Sequence, residues 1–191
     1  MCGRYGVEDR DGEREIFPGQ RACVRCADGV REMVWGFRRL SGHGVLVNAR
    51  AETAGLKSTF APCLQAGRCI VDASCFFEWR HAQGAARGEK YRVARADAEP
   101  LHMAALHDGN GHFVILTQAA NEQMAPLHDR MPVLLHTPEL ETLWLQSADM
   151  AQAVLDSLPA PALCMTPASP RSGGAPLSAG GPAPSASPGC L

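Results

Sequence analysis

Short apolar runs, β-branched or alternating with polar residues, recur at Met33 to Phe37, Val45 to Asn48, Cys69 to Val71, Cys75 to Trp79, Tyr91 to Ala94, Leu101 to Leu106, Phe113 to Thr117 and Met131 to Leu135. Runs of this length and make-up predict strands, and the Gly, Asp and Asn residues between them supply turns. Two helices are announced late in the chain. Thr137 as N-cap with Pro138 in the first turn predicts a helix over 138–146, and Ser147 opens another over 148–157. A shorter helix is expected around Ser58 to Gln65, and Gln118 to Met124 fits one helical turn or two. The charged stretch from Glu8 to Glu15 reads as a solvated loop or helix face. Many strands with few helices predict an α+β fold built on a mostly antiparallel, barrel-like sheet.

With 191 residues, 46% of them hydrophobic, the chain has apolar material for one sizeable core. We therefore read one domain over 1–170 and a Pro/Ala/Ser/Gly-rich tail over 171–191. The composition turns toward those residues from Pro159 onward and predicts irregular structure there, with Leu163 to Met165 adding a short edge strand. The first 25 residues carry charges throughout and hold no apolar signal core, and no stretch approaches the length of a membrane span. The expected address is the cytoplasm, with no membrane partner.

A formal charge of −2 excludes the globally basic signature of a dedicated nucleic-acid binder, so any such contact must be local. Sixteen of the 18 cationic residues are Arg, which suits phosphate clamping but also accompanies the Ala, Gly and Pro bias of a GC-rich genome. The eight cysteines read mostly as small buried hydrophobes. A zinc module on Cys23 and Cys26 rests on one CxxC without a second pair, which is a weak signal. No metal and no cofactor are expected.

Chemistry concentrates in four places. Removal of Met1 would leave Cys2 with an α-amine and a thiol on one residue, and reference values of about 7.7–8.0 and about 8.5 leave both part-reactive near neutral pH. An amine condenses with an aldehyde to an imine, on which the thiol can close a five-membered thiazolidine. In VNARAET, Asn48, Arg50 and Glu52 follow an apolar run, as a strand end with a turn would also produce. In FFEWR, Glu78 sits among three aromatics, either facing solvent from a two-sided strand or buried as a group for general acid/base work. In APLHDRMPV, His128, Asp129 and Arg130 are packed between prolines, where a histidine can equally be structural.

These pieces occur in order with Met1-Cys2-Gly3-Arg4-Tyr5, Pro18-Gly19-Gln20, Met33-x-Trp35-Gly36, Arg68-Cys69-Ile70 and Ile115-Leu116-Thr117. Jointly the pattern resembles the SRAP family, the SOS-response-associated peptidases, over residues 1 to about 170. The resemblance implies a protein that covalently shields abasic sites in single-stranded DNA, acting as a monomer and associating with the nucleoid when bound. It further implies a cysteine-type autopeptidase that removes the residue before Cys2, and a lyase-like crosslinking chemistry. Carried onto this sequence, Cys2 is the crosslinking nucleophile, Asn48 positions the opened sugar, Glu78 handles protons at the amine, and His128 assists opening and closing of the sugar. Arg50 and Arg130 match positions that hold phosphates, Arg4 lies near Cys2, and Thr117 falls with them on the DNA side. Trp35 and Trp79 either stack on bases or fill the core, the core being the preferred reading for Trp79. The sequence departs from the pattern at Cys75, where Gly is usual, at Val71-Asp72, which replaces an apolar-Pro pair, and in the compact stretch between Trp35 and Val45. A class II glutamine amidotransferase also opens Met-Cys-Gly and is the enzymatic alternative.

Overall fold

A computed structural model describes residues 2–39, 44–80, 88–157 and 161–168. The first strands form two hairpins: β1 (Tyr5–Asp9) with β2 (Gly12–Ile16), and β3 (Arg21–Cys26) with β4 (Gly29–Trp35). Each turns through two residues onto a glycine at positive φ, Gly12 at 111° and Gly29 at 132°, a conformation that glycine adopts without steric cost. Two short pieces, β5 (Phe37–Arg38) and β6 (Val45–Leu46), pair with each other, and β7 (Asn48–Arg50) leads into α1 (Ala51–Ala54) and α2 (Ala61–Ala66). Then come β8 (Arg68–Ala73), β9 (Cys75–Arg80), β10 (Glu89–Arg95), β11 (Leu101–His107), β12 (His112–Ala119) and β13 (Arg130–Pro132). The last elements are α3 (Pro138–Gln146), α4 (Ala148–Ser157) and β14 (Leu163–Pro167).

Strands β8, β3, β4, β12 and β11 close into a ring because β11 pairs with both β8 and β12. The ring is uneven. Six register pairs join β3 to β4 and six join β8 to β11, whereas β3–β8 and the parallel β4–β12 seam have two each. The far half of β12 carries β7 in parallel and β13 antiparallel. A second sheet, in the order β14-β10-β9-β1-β2, continues from the ring through the β8–β9 connection at Ser74. The expected α+β, mostly antiparallel, barrel-like architecture is what the chain adopts.

The apolar runs of β8, β11 and β12 are nearly continuous because both faces of these strands are buried. Cys69, Val71, Met103, Ala105, Phe113 and Ile115 point into one core, while Ile70, Ala104, Leu106, Val114 and Leu116 point to a second beneath the helices. Arg68 ties that helical layer down. Its guanidinium is 9% exposed and donates to the carbonyls of Leu64 and Gln65 at the end of α2 and of Trp144 and Leu145 at the end of α3. One cation thus meets the carbonyl ends of two helices, where the backbone dipoles favour positive charge. On the same helix-facing side of the barrel wall, Arg25 forks onto Asp72 at 2.7 and 2.9 Å and reaches Glu141 of α3 at 2.8 Å, with His102 2.6 Å from Asp72.

Both late helices have the bounds expected, and the Thr137 side chain accepts from the Leu140 N–H at 3.3 Å. Other expectations are corrected. Glu8 to Glu15 is a β-hairpin rather than a loop or helix face, because Glu13 and Glu15, on the face opposite the core residue Ile16, pair with Arg92 at 2.7 Å and Lys90 at 2.5 Å on β10. Gln118 and Ala119 complete β12, and turns follow over residues 122–127, held by the Asn121 side chain accepting from the Met124 N–H at 2.9 Å. Leu163–Pro167 is a five-residue strand along β10, longer than the short edge piece expected. The rest of the expected tail, 171–191, lies outside the described residues.

Cys23 and Cys26 sit three apart on β3, with Cys23 exposed and Cys26 buried. An odd spacing along a strand sends side chains to opposite faces, which removes the geometric basis for a CxxC chelate there.

Candidate active site around Cys2

The N-terminal segment reaches its place through strand register. Tyr5 pairs with Phe76 and Gly6 with Cys75, and the Phe77 N–H then donates to the Arg4 carbonyl at 2.9 Å. This ladder lays residues 2–6 along β9 and sets Cys2 beside Glu78. Gly6 is required for the approach: a Cβ there would lie 2.7 Å from the Cys75 sulfur. The cysteine that replaces the usual glycine thus packs over a glycine on the partner strand.

Cys2 is completely buried, as is Tyr5, and Glu78 is 3% exposed. Asn48, at the start of β7, donates from Nδ2 to the Cys2 carbonyl at 2.8 Å, while its Oδ1 is buried with no hydrogen-bond partner among the described residues. Burial pushes the Cys2 thiol well above its ordinary value, and the Glu78 carboxylate pushes it further. Both effects favour the protonated thiol. Tyr5, which the sequence analysis did not single out, has its hydroxyl raised for the same reasons, burial first and the Cys2 sulfur second, and that hydroxyl also lacks a partner among the described residues. Its signal was its place on the inward face of a strand three residues from Cys2. Buried unpaired polar atoms are uncommon in native proteins, and Asn48 Oδ1 and Tyr5 OH mark the surroundings of Cys2 as built for a polar occupant.

Trp35 is corrected from base stacking to core. It is completely buried, stacks on Phe113 at 6.4 Å and 10°, and tilts against Tyr5 at 5.1 Å, so no ring face is open to a base. Its indole N–H donates to the Val47 carbonyl at 2.9 Å, which fixes the backbone immediately before Asn48. Trp79 is only partly buried. The Arg4 guanidinium lies between the Phe17 and Trp79 rings, 4.6 and 5.0 Å from their centroids, and 3.7 Å from Glu15.

A second group joins the VNARAET and APLHDRMPV segments. Arg130 forks onto the Glu52 carboxylate at 2.6 and 2.9 Å and donates to the Thr117 carbonyl at 2.7 Å. The Thr117 hydroxyl donates in turn to the Ala49 carbonyl at 3.4 Å. Hydrogen bonds from Arg130 hold the Glu52 carboxyl down at about 2. Arg130 therefore clamps β7–α1 to β12, whereas Arg50 is exposed and has no ion pair among the described residues. His128 precedes this clamp; its Nδ1 accepts from the Arg130 N–H at 3.0 Å and lies 2.7 Å from Asp129 Oδ1. Nδ1 thus sits between a backbone donor and a carboxylate acceptor.

Residues 7–171 match the sequence profile of the SOS response associated peptidase (SRAP). The chain belongs to the SRAP family. The proteins it is similar to include the abasic site processing protein YedK of Escherichia coli (strain K12), 35% identical over 108 residues, which are 53% of this chain and 47% of that one. The abasic site processing protein YoqW of Bacillus subtilis (strain 168) is 34% identical over 121 residues, 59% of this chain and 53% of the relative. The matched part thus spans about half the length of these relatives. Among solved structures, a phage-related protein of Bordetella bronchiseptica superposes with a TM-score of 0.72 at 24% identity, covering 87% of this chain and 94% of the other. A protein of Bacteroides thetaiotaomicron reaches a TM-score of 0.63 at 26% identity, covering 78% and 73%. No described helix is long and apolar enough to cross a membrane.

Proposed function

We propose that this SRAP protein captures abasic sites in single-stranded DNA as a covalent thiazolidine on Cys2 once Met1 has been removed. The observation that carries the reading is the grouping of the buried Cys2 with Asn48, hydrogen-bonded to its carbonyl, and with the buried Glu78, whose carboxylate disfavours the Cys2 thiolate. Processing of abasic sites by the related YedK and YoqW proteins supports it.

An abasic sugar is mostly a closed hemiacetal, so a proton donor and acceptor must expose the aldehyde at C1′. His128 takes that role, its imidazole carrying one nitrogen that can donate and one that can accept a proton. The Cys2 amine then adds to C1′, and loss of water leaves an imine. The protonated state of the Cys2 sulfur suits the last step: Sγ bonds to C1′ while the thiol proton ends on the nitrogen, with Glu78 placed to carry it. No free thiolate has to accumulate. An imine is an electron sink that promotes strand scission, and closing the ring removes the sink, so the captured strand stays whole.

The single-stranded substrate, action as a monomer, a cytoplasmic and nucleoid-associated location, and autoproteolytic removal of Met1 by the same nucleophile complete the proposal. Arg50 contacts backbone phosphate, as does Arg4 beside Cys2, and such contacts position a strand without reading bases, as suits a lesion that has none. Arg130, held on Glu52, and the buried Thr117 brace that track from behind.

The test is incubation with single-stranded DNA bearing one abasic site, followed by a heated denaturing gel. Wild-type protein gives a heat-resistant adduct and Cys2→Ala gives none. An equally stable adduct with Cys2→Ala overturns the assignment.

A further inference from the structure

The chemistry proposed for Cys2 leaves a second sulfur pair unused. Cys26 and Cys69 are register partners across the β3–β8 seam. Residues directly opposite on antiparallel strands point to the same face with Cα atoms about 4.5 or 5.5 Å apart, inside the span of about 4.4–6.8 Å that a disulfide bridges. Both cysteines are free thiols, and each shifts the acidity of the other.

The pair is asymmetric. Cys69 is completely buried, whereas Cys26 ends its strand at 7% exposure, within electrostatic reach of His107 at the end of β11. His107 Nδ1 accepts from the Gly109 N–H at 3.1 Å, which leaves the ring proton of the neutral imidazole on Nε2. The His107 backbone is fixed as well. Its N–H donates to the Gly67 carbonyl at 2.7 Å, and a Cβ on Gly67 would lie 2.2 Å from the His107 carbonyl oxygen. Cys69 holds the Cys26 thiol below its ordinary value, with His107 and the charge of Arg31 adding to the effect, while burial pushes Cys69 up. Negative charge thus settles on the sulfur nearer solvent, and the deeper one keeps its proton, the arrangement of an attacking and a resolving thiol.

We propose that Cys26 and Cys69 form a modification site, a dithiol that a hydroperoxide oxidises to a disulfide with Cys26 attacking and Cys69 resolving. The Cys26 sulfur displaces one peroxide oxygen, the O–O bond breaks, and the leaving oxygen takes up protons as water, or as an alcohol from an organic peroxide. Cys26 is then a sulfenic acid. The Cys69 sulfur attacks it, the S–O bond breaks, and the departing hydroxide leaves as water with the Cys69 proton. Two thiols supply two electrons and one peroxide consumes them. The product staples one of the two thinnest seams of the barrel, where only the pairs Arg25↔Ile70 and Cys26↔Cys69 join the strands.

The experiment treats the full-length protein with hydrogen peroxide, removes the excess with catalase, alkylates in denaturant and maps the cysteines by mass spectrometry. The expected product is a peptide pair joined through Cys26 and Cys69, reversible by dithiothreitol, formed while Cys2 remains reduced and accompanied by a raised thermal midpoint. In Cys69→Ser the reaction stops at a sulfenic acid on Cys26 that dimedone traps. His107→Phe slows it about tenfold, as loss of a nearby favourable charge would. Recovery of Cys26 and Cys69 as alkylated thiols while the exposed Cys164 is oxidised overturns the proposal, as does dimedone labelling of Cys69 at the wild-type rate in Cys26→Ser. If the serine variants do not fold, mapping of the wild-type protein decides alone.

Discussion

The Asn48 side-chain amide donates to the Cys2 carbonyl across 2.8 Å, tying the reactive terminus to the strand that also carries Arg50. The two residues are 46 positions apart, and β7 reaches Cys2 only because it runs parallel to the far half of β12. Trp35 steadies the same spot from inside the core through Val47.

Asn48→Ala leaves the Cys2 carbonyl without that donor, and Asn48→Asp places an acceptor against an acceptor. A lost buried hydrogen bond is worth about 1–3 kcal/mol, so adduct formation with abasic DNA is expected to slow about 5- to 150-fold in Asn48→Ala. Asn48→Asp should be slower still. Single-turnover gel kinetics with folded variants measure this, and wild-type rates in both would remove Asn48 from the site.

Glu78→Gln is expected to move two readouts in opposite directions. Loss of the carboxylate charge lowers the Cys2 thiol from its raised position, so alkylation of Cys2 at pH 8 should become faster than in wild type. Adduct formation, which needs a proton carried from sulfur to nitrogen, should become slower. In the wild-type protein at the same pH the exposed Cys164 should be alkylated long before the buried Cys2. Peptide mapping and gel kinetics on the same preparation test the pair, and parallel movement of the two rates would contradict proton transfer by Glu78.

Arg50 and Arg130 should separate in a salt titration. Arg50 is exposed and has no ion pair among the described residues, so Arg50→Ala is expected to reduce the salt slope of DNA binding by about one unit or less, with an unchanged melting temperature. Arg130→Ala breaks the clamp on Glu52 and Thr117 and should lower the melting temperature. Binding at several salt concentrations and thermal melts of the free protein distinguish the two roles.

The Glu52–Arg130 clamp carries a signed pH dependence. Its folded carboxyl titrates at about 2, below the ordinary 4.5, so its contribution to stability is complete above about pH 4.5 and is lost as pH falls toward 2. Glu52 is 49% exposed, which holds that contribution to about 1 kcal/mol. Glu52→Gln should therefore melt below wild type at pH 7, and the gap should shrink steadily between pH 4.5 and 3. A gap independent of pH would show that the carboxylate charge is not what the clamp uses.

The sequence alone determined the elements whose signals are local. Thr137 and Pro138 announce α3 because capping and a fixed φ act within one turn, and the apolar runs of β8, β11 and β12 are legible because burial on both faces leaves few polar interruptions. Cys2, Asn48, Glu78 and Arg130 could each be marked as chemically unusual in their surroundings, and their joint order pointed to the family. Tertiary structure decided the rest. The Glu8 to Glu15 stretch became a hairpin because the Glu13 and Glu15 carboxylates meet Arg92 and Lys90, cations about 75 residues away that no local window contains. Trp35 looked free to stack on DNA until ring closure buried it, and Arg130 looked like an open phosphate clamp until β13 brought it onto Glu52. Periodicity reports which faces are buried, but register and ring closure choose what each face meets, and those choices rest on contacts between distant parts of the chain.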